Sequence, residues 1–201
     1  MVWLEVETKV QVKDVASLRS RIKKIANFKE KQSRGDDYFA LNIDKYPKKA
    51  FRIRYDGKKY VLNFKKRLKS LFSRDIVVKE EFEFVLSDIG RIDNFLYFLE
   101  DLGFKEWVKK RKKVESYEYK KDKRVVIEIN FVENLGYYME IEYLARRSEV
   151  GKAKKKIRQV LRELEIGKDQ IDNIGYTKRL YEKGIKDKKY FLKTKKGEII
   201  D

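Results

Sequence analysis

Two pairs of glutamates spaced two residues apart have the types and spacing for metal chemistry. They are Glu5 and Glu7 in Glu5-Val6-Glu7-Thr8-Lys9, and Glu140 and Glu142 in Glu140-Ile141-Glu142. On an extended strand this spacing puts both carboxylates on one side, roughly 7 Å apart along the chain. Such a pair can hold a hard divalent cation directly or through water. Cations recur in the same rhythm. Arg52 and Arg54 can grip phosphate oxygens with paired N–H donors, and Lys9, Lys65, Lys109 and Arg111 add further positive charge. The chain has no His and no Cys. Any metal must therefore be held by carboxylates, which favours Mg²⁺, Mn²⁺ or Ca²⁺. A general base must be a carboxylate, a lysine of lowered pKa or hydroxide on a metal.

Strands and helices must position these groups. Period-two alternation predicts strands over 2–12, 50–55, 60–66, 77–86, 108–119, 124–131 and 137–144. Asp14 is placed to cap a helix through about Phe28, with Val15, Leu18, Ile22 and Ile25 on one face. Asp88 is placed to cap a second helix reaching Leu102, with Gly103 as its stop, and Ser148 a third that ends by Gly167. A Glu-x-Glu strand precedes each helix in a weak internal repeat: Glu5/Glu7, Glu81/Glu83 and Glu140/Glu142. Residues 29–49 read as a short strand (37–41) and a loop. The reading gives one domain over 1–183 and a Lys-rich appendage over 184–201.

The net charge of +18 attracts polyanions: nucleotides, polyphosphate, nucleic acid or an anionic membrane face. Lys and Glu enrichment without Cys also fits a protein from a hot environment. No apolar run approaches the roughly 20 residues of a membrane span, and no N-terminal signal pattern is visible. The expectation is a cytoplasmic protein, monomeric or homodimeric, with no membrane partner.

Strand after strand carries one apolar face and one face of regularly spaced charge. Glu5, Glu7 and Lys9 lie opposite Val6, Thr8 and Val10; Lys79, Glu81 and Glu83 lie opposite Val78, Phe82 and Phe84; Glu128 and Asn130 lie opposite Ile127 and Ile129. Two architectures satisfy this pattern. A sheet closed on itself, with helices outside, makes the charges converge on a wet tunnel. An open sheet instead leaves them as a solvated outer face, with cross-strand pairs contributing roughly 0.2–1 kcal/mol each. On the first reading the inward members of the run 109–113 are Lys109 and Arg111. Tyr117, Tyr119, Tyr137 and Tyr138 read as sheet packing rather than base-stacking platforms.

The ordered set of charged strands resembles the CYTH superfamily, the triphosphate tunnel metalloenzymes. Glu5-Val6-Glu7-Thr8-Lys9 matches its Glu-x-Glu-x-Lys signature, and Phe51-Arg52-Ile53-Arg54 its Arg-x-Arg strand. Val61-Leu62-Asn63-Phe64-Lys65 resembles Leu-Thr-x-Lys, with Asn63 in place of Thr. Lys79-Glu80-Glu81-Phe82-Glu83 resembles Arg-x-Glu-x-Glu, with Lys in place of Arg. Lys109-Lys110-Arg111 is similar to Lys-x-Arg, and Leu135-Gly136 with Glu140-Ile141-Glu142 to the family's closing motif. The likeness spans about residues 1–181. It departs from the pattern at Asn130, where the family usually has an Asp counted among the metal carboxylates.

The resemblance implies an α+β fold: a closed antiparallel β-barrel of about eight strands with helices packed outside. It implies Mg²⁺ or Mn²⁺ at Glu5, Glu7, Glu140, Glu142 and Asn130. Phosphate would be held by Lys9, Arg52, Arg54, Lys65, Lys109 and Arg111, supported by Lys79 and Glu83. Lys9, Glu81 and Glu128 are the candidate catalytic groups. The activity implied is that of a class IV adenylyl cyclase, converting ATP to cyclic AMP and pyrophosphate. Two alternatives are an inorganic or organic triphosphatase releasing phosphate, and a non-catalytic module that binds a nucleotide, polyphosphate or RNA. No adenine-reading motif separates the two enzymes.

Overall fold

A computed structural model describes residues 3–55, 59–86, 92–185 and 191–192. Among these residues, eight strands close into a barrel: β1 (Leu4–Gln11), β2 (Ala26–Ala40), β3 (Phe51–Tyr55), β4 (Tyr60–Arg67), β5 (Val77–Leu86), β6 (Lys105–Tyr119), β7 (Val125–Val132) and β8 (Gly136–Ala145). Their order around the barrel is β1-β5-β4-β3-β2-β6-β7-β8, and β8 returns to β1. Every neighbouring pair is antiparallel. Closure removes the open edge that an amphipathic sheet would otherwise expose. It also decides between the two architectures the alternation allowed.

Helices cover the outside. α1 (Val15–Ile25) starts where Asp14 Oδ1 accepts from the Ser17 amide at 3.0 Å. It stops at Ala26, short of Phe28, because the chain turns straight into β2. α3 (Val150–Glu163) follows a 3₁₀ turn over Arg147–Glu149, so Ser148 lies inside that turn instead of capping the helix. Leu18 and Ile22 of α1 and Ile157, Val160 and Leu161 of α3 pack on Val6, Ile127 and Ile141, the outward residues of β1, β7 and β8. α2 (Ile92–Asp101) lays Ile92, Leu96 and Leu99 on Phe39 and Ile53. Its expected cap, Asp88, lies outside the described residues. The chain leaves α2 through Gly103, whose φ of +81° suits glycine, and the Gly103 and Phe104 amides donate back to Glu100 and Leu99. α4 (Tyr176–Glu182) places Leu180 beside Trp107. No helix among the described residues is long and apolar enough to cross a membrane.

One strand departs from the sequence reading. The loop after residue 40 is present, but the strand before it is long: β2 runs unbroken from Ala26 to Ala40 and pairs with β6 along its length. Its first half carries no apolar alternation because residues 27–31 are exposed, and Arg34 and Asp36 after them face the barrel interior. Where neither face meets an apolar core, hydrophobic periodicity vanishes.

Candidate functional site

Residues directly opposite each other on neighbouring strands share a face, so the register identifies the barrel's lining. Glu5 lies opposite Lys79, Glu7 opposite Glu142, and Lys9 opposite Glu140. Glu140 lies opposite Glu128, and Glu128 opposite Ser116. Counting by twos along β6 from Ser116 reaches Lys112 and Lys110. Lys110 lies opposite Asp36, and Asp36 opposite Arg54. Arg52 lies opposite Asn63, Asn63 opposite Glu83, and Lys65 opposite Glu81. The ring closes on itself, and one continuous charged face lines the interior.

This circuit brings together Glu5, Glu7, Lys9, Arg52, Arg54, Lys65, Lys79, Glu81, Glu83, Glu128, Asn130, Glu140 and Glu142. It places Lys109 and Arg111 on the outer face. There Lys109 pairs with Asp37 at 2.6 Å, and Arg111 pairs with Glu133. Their inward counterparts are Lys110 and Lys112. A run of consecutive basic residues carries no phase of its own. In the barrel Val108 lies opposite Tyr38 and faces inward, beneath α4, and Trp107 joins the same cluster at an irregularity in the β2–β6 ladder.

The lining is buried and internally paired. In β1 both faces are covered: Glu5 and Lys9 are as buried as Val6 and Val10. Isolated charges would not survive there without partners. Lys65 bonds Glu5 and Lys79 bonds Glu7. Asp36, fully buried, receives Arg54 at 2.6 Å, Lys110 at 2.7 Å and Arg52 at 3.3 Å. Burial raises its carboxyl, but these three cations outweigh burial and hold it well below the usual range. Asn63 donates to Glu81 at 2.5 Å and to Glu83 at 3.0 Å, so it supports the acidic pair on β5. Arg34 and Lys112 bond Glu128 at 2.9 and 3.2 Å. Arg34, Asp36, Tyr38, Lys110 and Lys112 were not singled out from the sequence. The i, i+2 spacing of Arg34, Asp36 and Tyr38 was the available signal.

One end of the tunnel is covered. The β1–β5 pairing stops at Glu7 and Val77, and residues 171–173 take over beside β1. The Asp172 amide donates to the Lys9 carbonyl at 2.8 Å, and the Lys9 amide donates to Asn173 Oδ1 at 2.8 Å. Lys9 Nζ donates to the Ile174 carbonyl and sits 4.2 Å from the centre of the Tyr176 ring. Tyr176 also stacks edge-on against Tyr138 and lies near Lys110. Burial brings Lys9 down to about 8, against the opposing pull of Glu140, Asp172 and Glu7.

Two groups of carboxylates can supply oxygen ligands. Glu5, Glu7 and Glu142 offer oxygens within 4.8 Å of one another, and so do Glu128, Glu140 and Glu142. An all-oxygen donor set of this size fits a hard cation bound at about 2.0–2.6 Å. Burial, then the charges of Glu5 and Glu128, pushes Glu142 well above its usual range. Burial likewise lifts Glu7 to about 7, with Glu5 and Glu140 adding to the rise and Lys79 opposing it. Crowded carboxylates of this kind gain from a shared cation. Asn130 adds no charge. Its amide donates to Glu140 at 2.9 Å, and its Oδ1 is buried without a partner.

Comparisons with known proteins agree with this geometry. The PH1819 protein from Pyrococcus horikoshii OT3 is 28% identical, with a TM-score of 0.71, covering 89% of this chain and 99% of its own. A conserved hypothetical protein from Pyrococcus furiosus is 26% identical, with a TM-score of 0.67, covering 87% and 98%. The Hippeastrum protein HpAC1, described with a dominant triphosphatase activity, shares the fold at 15% identity, with a TM-score of 0.59 and coverage of 90% and 96%. No curated protein matches the sequence. The model of the CYTH domain matches residues 4–176, and the chain belongs to that family.

Proposed function

We propose that this chain is a metal-dependent triphosphatase that hydrolyses the terminal phosphate of an inorganic or organic triphosphate inside the barrel. The observation that carries this reading is the closed ring of inward charge, in which Arg52, Arg54 and Lys110 converge on a single carboxylate, Asp36. Three cations held that close together match the charge and oxygen geometry of a phosphate group. The family supports divalent-metal dependence, and Glu5, Glu7 and Glu142 are the residues that would hold the ion. When bound, Mg²⁺ or Mn²⁺ supplies Lewis acidity that offsets phosphate charge.

The chain's own groups do the rest. Arg52, Arg54, Lys65 and Lys110 bind and orient the phosphate chain, while Lys79 and Asn63 hold the acidic side chains in place. A water oxygen attacks the terminal phosphorus, the bridging P–O bond breaks, and orthophosphate and the shortened phosphate leave. Among the candidate catalytic groups, Lys9 is brought down to about 8 and suits proton transfer. Burial opposes the ionised form of Glu128, but Lys112 and Arg34 outweigh it and lower the pKa, which weakens that residue as a base.

Hydrolysis is favoured over cyclisation because the interior rings are already engaged. Tyr138 and Tyr176 pack on each other, and Lys9 and Lys110 lie over Tyr176 and Tyr38, so these rings offer no stacking site for adenine. HpAC1 is a precedent for triphosphatase activity on this fold. Incubation with tripolyphosphate or ATP plus Mg²⁺ or Mn²⁺, followed by product identification, tests the reading. Orthophosphate is expected. Cyclic AMP with pyrophosphate would establish the cyclase instead, and binding without either product would establish a non-catalytic module.

A further inference from the structure

The two carboxylate groups are not equivalent, and the difference lies in a lysine. Lys112 Nζ sits 3.2 Å from Glu128 and 3.5 Å from Glu140, and only 6% of its side chain is exposed. Arg34 holds the other oxygen of Glu128 at 2.9 Å. Glu128 and Glu140 are therefore matched, charge for charge, by two cations. Asn130, beside them, contributes no negative charge and points its amide donors at Glu140. The Glu5, Glu7 and Glu142 group differs. Its lysines, Lys65 and Lys79, keep 24% and 20% of their side chains exposed; Lys79 bonds Glu5 and Glu7, while Lys65 is divided between Glu5 and Glu81, the latter at 3.2 Å. Among the described residues no ion pair reaches Glu142, so three carboxylates share two cations.

From this asymmetry we infer that the Lys112 ammonium occupies the second cation position of the tunnel, so that the chain takes a single divalent ion, at Glu5, Glu7 and Glu142. The inference rests on the metal-dependent reading above and narrows it. A buried ammonium bonded to two carboxylates is a fixed monovalent counter-charge, and a divalent ion could enter only by displacing it from both partners while it stays buried. Lys65 and Lys79 face no such barrier. Their long stems and partial exposure let them swing from the carboxylates to an incoming phosphate when an ion takes their place. The Asn at position 130 fits the same arrangement, since a third carboxylate beside Glu128 and Glu140 would exceed the charge that Lys112 and Arg34 can balance.

Mn²⁺ binding to the full chain, counted by calorimetric titration and by electron paramagnetic resonance, tests this without an activity readout. Wild type is expected to bind one ion. Glu5→Gln is expected to lose it. Lys112→Met, which frees Glu128 and Glu140, is expected to bind two. If that variant does not fold, Lys112→Gln carries the same expectation with a smaller change in polarity, and the wild-type count alone still decides. Two ions of similar affinity in wild type would overturn the inference while leaving metal dependence standing. One ion in a folded Lys112 variant would also overturn it. No ion in wild type, with or without tripolyphosphate, would overturn both this inference and the metal-dependent reading.

Discussion

On β1 the inner and outer faces of the barrel are both buried, yet they are held by opposite physics. On β1, Val6 and Val10 face outward into a core shared with α1 and α3, where burial of apolar area stabilises without directional demands. Glu5, Glu7 and Lys9, the intervening residues, face inward and depend on particular partners. The outer face tolerates any side chain of suitable shape. The inner face tolerates only sets of charges that balance, and a ligand of matching charge can replace members of a set. This difference separates the residues that make the barrel from those that use it.

The comparison is broken most severely by removing an inner cation. Arg52→Ala or Lys110→Ala is expected to lower tripolyphosphate turnover by about 10²–10³, the usual effect of deleting a charge-stabilising donor. Lys109→Ala and Arg111→Ala, their outer-face neighbours, are expected to leave turnover near the wild-type rate. Steady-state orthophosphate release distinguishes the two outcomes. Asp36→Asn sharpens the same point through stability. It leaves Arg52, Arg54 and Lys110 facing one another, and is expected to cost about 3–5 kcal/mol in denaturant unfolding, as for breaking one side of a buried ion pair. Ile157→Ala, on the outer core, is expected to cost about 2–5 kcal/mol by opening a cavity. Its turnover per folded molecule should be retained, which Asp36→Asn should not match.

The smallest expected effect comes from a polar exception on the outer face. Burial, then the nearby Asp37, pushes Glu106 up to about 9, and its Oε1 is buried without a partner. Its folded pKa lies above the usual 4.5, so the unfolded chain releases this proton first as pH rises. Stability contributed by the protonated form is complete below 4.5 and is lost as pH climbs towards 9. Glu106→Gln should therefore raise the melting temperature at about pH 8 and leave it unchanged at about pH 4.

The barrel and most of its lining were legible in the sequence because β1, β3, β5, β7 and β8 each set charge against apolar residues at period two. Two regions were not legible. The first half of β2 faces water on one side and the tunnel on the other, so it has no apolar face to reveal it, and Arg34 and Asp36 went with it. On β6 a run of lysines and arginine is charged on both faces, so alternation could not say which members point inward. Lys109 and Arg111 were read inward for that reason; only the register through Glu128, Ser116 and Asp36 assigns the positions to Lys110 and Lys112. Residues 171–176, which cover one tunnel end, join β1 through one main-chain hydrogen bond, the Asn173 side chain and the Lys9 ammonium, contacts between distant segments that leave no periodic pattern.

On the function proposed above, the inner ring is a triphosphate site. Titration of tripolyphosphate into wild type and into Arg52→Ala, in the presence of Mn²⁺, tests it most directly. The expected result is saturable binding by wild type, weakened at least about tenfold in the variant, in keeping with loss of a charge-assisted hydrogen bond of roughly 1.5–3 kcal/mol. Equal affinity in both proteins, or no binding by wild type, would contradict it.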